Sequence, residues 1–428
     1  MALQGILKSR AWCAALIFTA ALATRLCYTA ATTQGAGELQ GDAAEYQSYA
    51  LNLSEAGRYE NYDGLKASRM PGYPLFLDAV YTVCGRSVLA VQVAQSLAGA
   101  ATCVLVLLLA WEWFDPRWAL AGGLAAAFYF DLISPCARVT TEALTTFFLT
   151  AAFWLWCRKR SLRFTDGFLV GVAASSAYLL RSEFMIFVFL LAAAAGWAGR
   201  RDLKRAWKAP AGILLAFALI SLPWILRNQR ELGRPIATST AGPVNLYLGV
   251  PWTIHDRLGG LQGSFVPLAD LQARQKLGEL ESADYFSRVV PGLYREATLS
   301  QIARALVFNL LIQYYPFSPA YDATFVFFLP FWLWGIWLCR KDERRWPPLI
   351  AVLFKTALHC GVAVMQSRHR QVTASAVILL ALTGLFELRR RSPKAFKTLV
   401  PGWAAANAFV WALAPWFRAL ALRVRDLL

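Results

Sequence analysis

Long apolar runs alternate with short polar gaps along most of the chain. A run of about 20 apolar residues is long enough to cross the hydrocarbon core of a bilayer as a helix. The runs lie near 12–31, 88–111, 118–135, 142–157, 166–180, 184–198, 209–226, 321–339, 347–365 and 371–387, with an eleventh candidate at 398–417. The pattern therefore predicts an all-α polytopic membrane protein with about 10–11 transmembrane helices.

The composition agrees with this prediction. Of the 428 residues, 57% are hydrophobic and only 16% are charged. Soluble domains carry about 45–50% apolar and about 25% charged residues, so an ordinary soluble enzyme is excluded. The 17 Trp, 27 Phe and 15 Tyr residues also exclude a disordered chain.

The net charge of +17 is concentrated in the gaps between apolar runs. Lys and Arg collect on the cytoplasmic side of membrane spans, so the clusters predict a cytoplasmic N-terminus, with the first run as a retained signal anchor. This distribution excludes nucleic acid as the partner and points to membrane lipids instead. The clusters are Arg158, Lys159, Arg160 and Arg163; Arg200, Arg201, Lys204, Arg205 and Lys208; Arg340, Lys341, Arg344 and Arg345; and Arg389, Arg390, Arg391, Lys394 and Lys397.

The same alternation places two long polar segments, 32–87 and 227–320, on the outer side of a single membrane domain over 1–428. The first segment is rich in acidic residues, the opposite of the cytoplasmic bias. Residues 43–56 have apolar positions at helical spacing, and 74–84 form an apolar stretch too short to span. Both stretches predict interfacial helices on the membrane surface, and we expect the function to reside here.

Asp42 and Glu45 stand at the start of the first outer helix, in Gly41-Asp42-Ala43-Ala44-Glu45-Tyr46. Side chains three residues apart share one face of a helix, so this pair is a candidate catalytic site. The alternative is a plain capping box, in which the two acids only satisfy backbone N–H groups.

Arg69 and Tyr73 lie in Ser68-Arg69-Met70-Pro71-Gly72-Tyr73-Pro74. Two prolines around a glycine form a stiff turn, which would hold Arg69 in a fixed place at the lipid–water boundary. The alternative is an arginine that contacts lipid phosphates nonspecifically.

Further polar residues stand at span ends on the predicted outer side. Charged groups at membrane depth are costly and are frequently functional. The stretch 241–249 surrounds Asn245 with turn-forming residues, which predicts either a sugar-contacting loop or a surface turn. His359, within an apolar run, is interpreted as a hydrogen-bonded helix residue. The candidates at span ends are Glu142, Arg181, Arg227, Arg368 and Arg370.

No Walker loop, dinucleotide glycine fingerprint, HExxH or GxSxG motif occurs in the sequence. Nucleotide-driven transport and the common hydrolase chemistries are therefore disfavoured.

These motifs together resemble the GT-C membrane glycosyltransferases, in particular the bacterial members akin to protein O-mannosyltransferases and lipid A aminoarabinose transferases of glycosyltransferase family 39. The likeness follows most of the chain in order. It is carried by 41–46, 50–53, Gly57, 69–77, Thr141-Glu142, 180–183, Arg227-Asn228 with Gly233 and Pro235, 242–249 and 367–370.

The resemblance implies a GT-C-like helix arrangement in a bacterial inner membrane, with a periplasmic active site. It implies a polyprenyl-phosphate-linked sugar as donor and an acceptor glycan, lipid or protein. By resemblance, Asp42 would be the general base of an inverting transfer, assisted by Glu45. Arg69, Tyr73, Glu142, Arg181, Arg227, Asn245, Arg368 and Arg370 would contact the lipid phosphate or the sugar.

One motif departs from the family. Relatives often carry Arg-Tyr-Arg followed by proline near the C-terminal spans, whereas this chain has Arg368-His369-Arg370 followed by Gln371. Relatives also differ in their need for a divalent metal, so a metal stays open and no cofactor is certain.

Two other functions compete with glycosyl transfer. A flippase or transporter of lipid-linked sugars would use the same charges to line a passage, but such proteins tend to have helices broken near the bilayer midplane. A ligase or polymerase of whole glycans would share the outer site and need a larger acceptor cleft.

Overall fold

A computed structural model describes residues 9–32, 39–159, 161–202, 206–254, 277–316, 321–361 and 367–427. Residues 255–276 of the predicted second outer segment and 362–366 of the predicted ninth span lie outside the described residues.

The regular elements of the described ranges are all helical. Two short helical pieces, Phe130–Ile133 and Ser134–Ala137, follow α5, and 3-10 turns occupy Glu343–Arg345 and Ser367–Thr373. The helices are α1 Arg10–Thr32, α2 Asp42–Ala56, α3 Gly72–Cys84, α4 Val88–Trp113, α5 Pro116–Phe128, α6 Glu142–Cys157, α7 Phe164–Leu180, α8 Phe184–Ala198, α9 Lys208–Leu232, α10 Ala241–Ile254, α11 Glu279–Glu296, α12 Leu299–Gln313, α13 Ala323–Cys339, α14 Trp346–Gly361, α15 Ala374–Arg391 and α16 Pro393–Leu427.

The prediction of an all-α polytopic membrane protein is confirmed. Within the described residues, each predicted apolar run is mostly helical. By length and composition, four helical segments could cross a membrane, namely α1, α4, α9 and the stretch Arg368–Arg391 that contains α15. The third run is a fifth candidate, bent by 66° between α5 and the pieces that follow it. Five further apolar helices, α6, α7, α8, α12 and α13, have only 10–17 residues.

One local expectation is wrong. The stretch 241–249, interpreted as a loop or turn, forms the first part of α10. Gly242 and Pro243 stand in the first helical turn, where a backbone N–H has no partner within the helix and proline is therefore tolerated.

Glycines allow the core helices to approach closely. A Cβ atom at Gly167 of α7 would lie 2.2 Å from the carbonyl oxygen of Ala209 in α9, and one at Gly335 of α13 would lie 1.8 Å from that of Leu380 in α15. Small residues at such crossings are how membrane helices gain packing contacts without a hydrophobic driving force. Helix α15 is buried on all sides from Ala374 to Leu385 and forms the centre of the core.

Two of the basic clusters, those that contain Arg200 and Arg344, meet at one end of the helix bundle. Arg10 at the start of α1 lies 3.4 Å from Glu112 near the end of α4, and Arg344 lies 3.7 Å from the same carboxylate. Arg200, just after α8, pairs with Glu343 at 2.7 Å. These contacts gather helix ends that the sequence assigns to one face of the membrane, and we call this region the basic end.

The cavity described next lies at the other end. Helix α6 connects the two, because Glu142 faces the cavity while Cys157 accepts hydrogen bonds from Arg344 through its backbone oxygen.

Candidate active site

A cavity of about 600 Å³ opens at the end of the bundle opposite the basic end. It lies between the start of α2, the turn before α3, the start of α6, the α7–α8 junction, the start of α10 and the 367–373 segment. Six of the ten predicted site residues, distant in sequence, line it. They are Asp42, Arg69, Glu142, Arg181, Asn245 and Arg368.

Asp42 is held between two guanidinium groups. Its Oδ1 accepts a hydrogen bond from Arg69 at 2.7 Å, and its Oδ2 accepts one from Arg368 at 2.7 Å. Burial raises the pKa of this carboxyl, but the charges of Arg69 and Arg368 outweigh burial and the net pKa lies below its ordinary value. Asp42 is therefore ionised at neutral pH.

Glu45 holds Arg69 from the other side. Nε of Arg69 donates a hydrogen bond to Oε2 of Glu45 at 2.7 Å. The guanidinium carbon of Arg69 also lies 5.2 Å from the centroid of the Tyr46 ring, in a cation–π contact. The capping-box alternative is wrong, because Gly41 is the N-cap residue of α2 and no side chain caps that helix. Glu45 is not among the residues that line the cavity.

A second charged cluster forms the opposite wall. Arg181 donates to Glu183 at 2.7 Å and lies 3.3 Å from Glu142. Fully buried Lys355 donates to Glu183 at 3.1 Å. Burial raises the pKa of Glu183, but Arg181 and Lys355 together lower it well below its ordinary value. The two positive charges thus stay paired with ionised carboxylates.

Two predicted site residues have structural partners away from the cavity lining. Tyr73 is buried and donates from its hydroxyl to Gln95 at 2.7 Å. Arg227 donates to the backbone oxygens of Lys66 and Tyr59, each at 2.6 Å. Arg227 therefore fixes the loop that precedes Arg69.

Arg370 also points away from the cavity. It donates to Asp131 and to Asp322, each at 2.6 Å, and its guanidinium carbon lies 3.9 Å from the centroid of the Phe325 ring. All three charged side chains of this triad are at most 4% exposed. The bend after α5 brings Asp131 to this position, so Arg370 anchors the 367–373 segment to the core.

A clamp that the sequence did not reveal joins the two outer segments. Glu279 at the start of α11 accepts from the backbone N–H groups of Lys66 at 2.6 Å and Ala67 at 2.7 Å. It also accepts from the hydroxyl of Thr240 at 2.6 Å. The clamp immediately precedes Ser68 and Arg69 and so fixes the backbone that positions Arg69.

The cavity lining also contains side chains outside the predicted set, among them Glu183, His359 and His369. Nζ of Lys355 donates to Glu183 at 3.1 Å and lies 3.3 Å from Nε2 of His359. The sequence did contain a signal, because Lys355 and His359 are four residues apart in an apolar run and therefore share one helix face.

Among the described residues, no group of three or more His, Cys, Asp or Glu side chains could hold a metal ion.

Part of the chain matches a known protein family. Residues 68–225 match the sequence profile of the family described as dolichyl-phosphate-mannose-protein mannosyltransferase. This match agrees with the predicted resemblance to the GT-C membrane glycosyltransferases over the matched segment. The matched segment contains Arg69, Glu142 and Arg181, while Asp42 and Arg368 flank it.

The fold is similar to that of solved glycosyltransferases. The archaeal oligosaccharyltransferase AglB from Archaeoglobus fulgidus, in complex with an inhibitory peptide and a dolichol-phosphate, aligns with a TM-score of 0.55 at 15% identity over 95% of this chain and 54% of that chain. The same enzyme in complex with Zn and sulfate gives 0.56 at 15% identity, over 94% and 52%. ArnT from Cupriavidus metallidurans in the apo state gives 0.43 at 14% identity, over 89% and 79%.

The chain spans about half the length of the AglB structures, and at this identity the likeness shows the fold. No curated protein sequence gives a significant match.

Proposed function

We propose that the protein transfers a sugar from a polyprenyl-phosphate donor to an acceptor hydroxyl at the extracytoplasmic face of the membrane, with Asp42 as general base. The observation that carries this proposal is that Asp42, Arg69, Arg181 and Arg368 converge on one cavity, although they are up to 326 residues apart in sequence.

The arginines suit the leaving group. When the bond between the sugar and the lipid phosphate breaks, negative charge develops on the phosphate oxygens. Guanidinium groups present paired donors that match a phosphate, and groups already in position lower the cost of reorganisation during the reaction. Arg368 is available for this role because its buried Nε has no hydrogen-bond partner among the described residues.

Asp42 suits the acceptor. A carboxylate offers about four lone-pair sites, so each oxygen can accept from a hydroxyl while it keeps its arginine. In the proposed step the carboxylate takes the proton of the acceptor hydroxyl, whose oxygen bonds to the anomeric carbon. The bond from that carbon to the phosphate oxygen breaks, and its electron pair leaves with the phosphate. One displacement of this kind inverts the anomeric centre.

Glu142 can accept a hydrogen bond from the transferred sugar. Its side chain is 3% exposed, and its Oε2 has no hydrogen-bond partner among the described residues, whereas Arg181 lies near Oε1. A buried oxygen without a partner is costly, and a hydroxyl of the transferred sugar would remove that cost. Asn245, on the α10 wall, is the second candidate for sugar contact.

The depth of the cavity suits a lipid donor. Helix α6 has 16 residues, which corresponds to ~24 Å, less than the ~30 Å hydrocarbon core. If the basic end lies at the cytoplasmic boundary, as the positive-inside rule indicates, Glu142 lies just below the outer headgroups. Segments 32–87 and 227–320 would then be extracytoplasmic, within one membrane domain over 1–428.

The comparisons support the same donor class. The matching family is described by a dolichyl-phosphate-linked mannose, and one AglB structure holds a dolichol-phosphate. Both names refer to a sugar or phosphate on a polyprenyl lipid.

The test uses the full chain in proteoliposomes, a radiolabelled polyprenyl-phosphate sugar, and membranes from the producing cells as the source of acceptor. We expect label to move into a product that survives mild acid, which cleaves the donor. Release of label across the bilayer without a new glycosidic bond would instead indicate a transporter.

The side of the membrane has its own test. In a chain with Cys27 and Cys84 replaced by serine, Asp63→Cys and Lys394→Cys are each exposed to a membrane-impermeant maleimide on intact cells. We expect labelling at position 63 and none at position 394. The reverse pattern would place the cavity on the cytoplasmic side.

A further inference from the structure

Two histidines meet at the cavity wall. His359 in α14 and His369 in the 367–373 segment line the cavity, and their ring centroids lie 4.4 Å apart. The contacts of each ring determine which of its nitrogens carries the proton.

His359 has its proton on Nδ1. This nitrogen lies 3.1 Å from the backbone oxygen of Lys355, which can only accept. The other nitrogen, Nε2, lies 3.3 Å from Nζ of Lys355. Because the neutral ring carries its proton on Nδ1, Nε2 is the acceptor, and Nζ of Lys355, which also donates to Glu183, donates to it. This ring therefore has no N–H left for a ligand.

His369 has the opposite tautomer. Its Nδ1 lies 3.2 Å from Nη2 of Arg181, and a guanidinium can only donate. Nδ1 is therefore unprotonated, and the ring proton resides on Nε2. Among the described residues, nothing accepts a hydrogen bond from this Nε2.

The groups around the His369 ring disfavour a second proton on it. Arg181 contacts it directly, and Arg368 precedes it in the chain. Nζ of Lys355 lies 3.3 Å from Nε2 of the neighbouring His359 ring, and the nearby carboxylates, Glu142 and Glu183, are already paired with Arg181. A proton on Nδ1 would point at the guanidinium of Arg181 and would add a further cation to this wall.

We propose that His369 presents its Nε2–H to a phosphate oxygen of the lipid-linked donor, as a neutral hydrogen-bond donor whose tautomer is fixed by Arg181. This inference rests on the proposed function, because it takes the phosphate as the ligand of the arginine-lined wall. A neutral donor stabilises charge that develops on the leaving phosphate, and it adds no full charge that would retain the lipid phosphate after transfer. His369 is thus assigned as a phosphate-binding residue, and Arg181 positions its proton.

The protonation state can be read directly, because the chain has only three histidines. The full-length protein, labelled with ¹⁵N-histidine, is reconstituted in liposomes and measured by magic-angle-spinning NMR, which separates protonated from unprotonated ring nitrogens. His255→Gln, His359→Asn and His369→Gln variants assign the signals. We expect His369 to be neutral with a protonated Nε2, and His359 to be neutral with a protonated Nδ1.

Addition of a polyprenyl phosphate without sugar should shift the Nε2 signal of His369 and leave the Nδ1 signal of His359 in place, while the ³¹P signal of the same sample reports binding. A cationic His369, an Nδ1 proton on it, or an unmoved Nε2 signal with bound lipid would overturn the inference and leave the proposed function standing. Absence of lipid binding in ³¹P would overturn the donor class itself, and the phosphate role of His369 with it.

Two substitutions separate a ligand contact from a structural role. Glutamine places an amide near the Nε2 position, whereas asparagine places one near Nδ1 and can still accept from Arg181. We expect His369→Gln to keep the affinity for polyprenyl phosphate within about threefold and His369→Asn to lower it by roughly tenfold or more, since a hydrogen bond to a charged group is lost. Equal loss in both variants at unchanged thermal stability would contradict the assignment of the Nε2 proton.

Discussion

Asp42→Asn removes the proposed base and preserves the shape of the side chain. General base catalysis contributes about 10²–10⁴-fold, so sugar transfer should fall by that factor. The loss corresponds to a barrier higher by about 3–5 kcal/mol. Asparagine can still accept from one of the two arginines that now hold the carboxylate, so we expect the fold to survive.

Binding of the donor should not fall with the rate of transfer. Asp42 competes with a phosphate for Arg69 and Arg368, and these side chains are between 23% and 31% exposed. Ion pairs of this exposure contribute about 0.2–1 kcal/mol each. Without them, the affinity for polyprenyl phosphate should stay unchanged or rise by at most about thirtyfold.

The assay measures both quantities on the same sample. Transfer is followed with a radiolabelled donor and cell membranes, and binding by titration of polyprenyl phosphate into nanodiscs. Asp63→Asn is the matched control, because Asp63 lies in the same outer segment, 32–87, and is exposed outside the cavity. If Asp42→Asn retained transfer within threefold of the control, Asp42 would not be the base. If it lost donor binding, its role would be structural.

Three further changes have definite expectations. Arg370→Ala leaves two buried aspartates without their cation, so unfolding should become easier by about 3–5 kcal/mol, read as a lower melting temperature in detergent; an unchanged value would contradict the anchor role. Glu279→Ala removes a charged acceptor from three donors ahead of Arg69. We expect it to cost about 1.5–3 kcal/mol of unfolding free energy and to weaken binding of polyprenyl phosphate, whereas full affinity would show that the clamp does not position Arg69. Arg368→Gln removes one of the two cations that lower the pKa of Asp42, whose ordinary value is 3.8, so the acid limb of the pH–rate profile should move to higher pH; a shift to lower pH, or none, would contradict the pairing.

Much of the fold and of the cavity could be predicted from the sequence. Within the described residues, the apolar runs are mostly helical, since a run that long and that poor in charge has few other solutions in a membrane. Asp42, Arg69 and Glu142 could be grouped because the alternation of basic gaps puts them at helix ends on one side of the bundle. That reasoning predicts at which end of the molecule a charged residue lies, but it does not predict the contacts of its side chain.

The direction of each side chain could not be predicted in this way. Arg368 and Arg370 are two residues apart in one short segment, yet Arg368 reaches Asp42 in the cavity while Arg370 is buried against Asp131. The difference depends on the 3-10 conformation of the segment and on the bend after α5, which brings Asp131 into reach. Neither is encoded in the spacing of charges.

Asp42 illustrates why the pairing of charges matters more than their presence. Two guanidinium groups keep it ionised, which a base requires, but they also lower its pKa and hence its basicity. A phosphate that binds to Arg368 or Arg69 supplies the negative charge those groups now take from Asp42, so the carboxylate loses cationic neighbours and its pKa rises. Under the proposed function, the base would therefore be weakest when the cavity holds no donor and stronger once the donor phosphate is in place. The same arginines would bind the leaving group and set the strength of the base, because the cavity concentrates both roles on one set of cations.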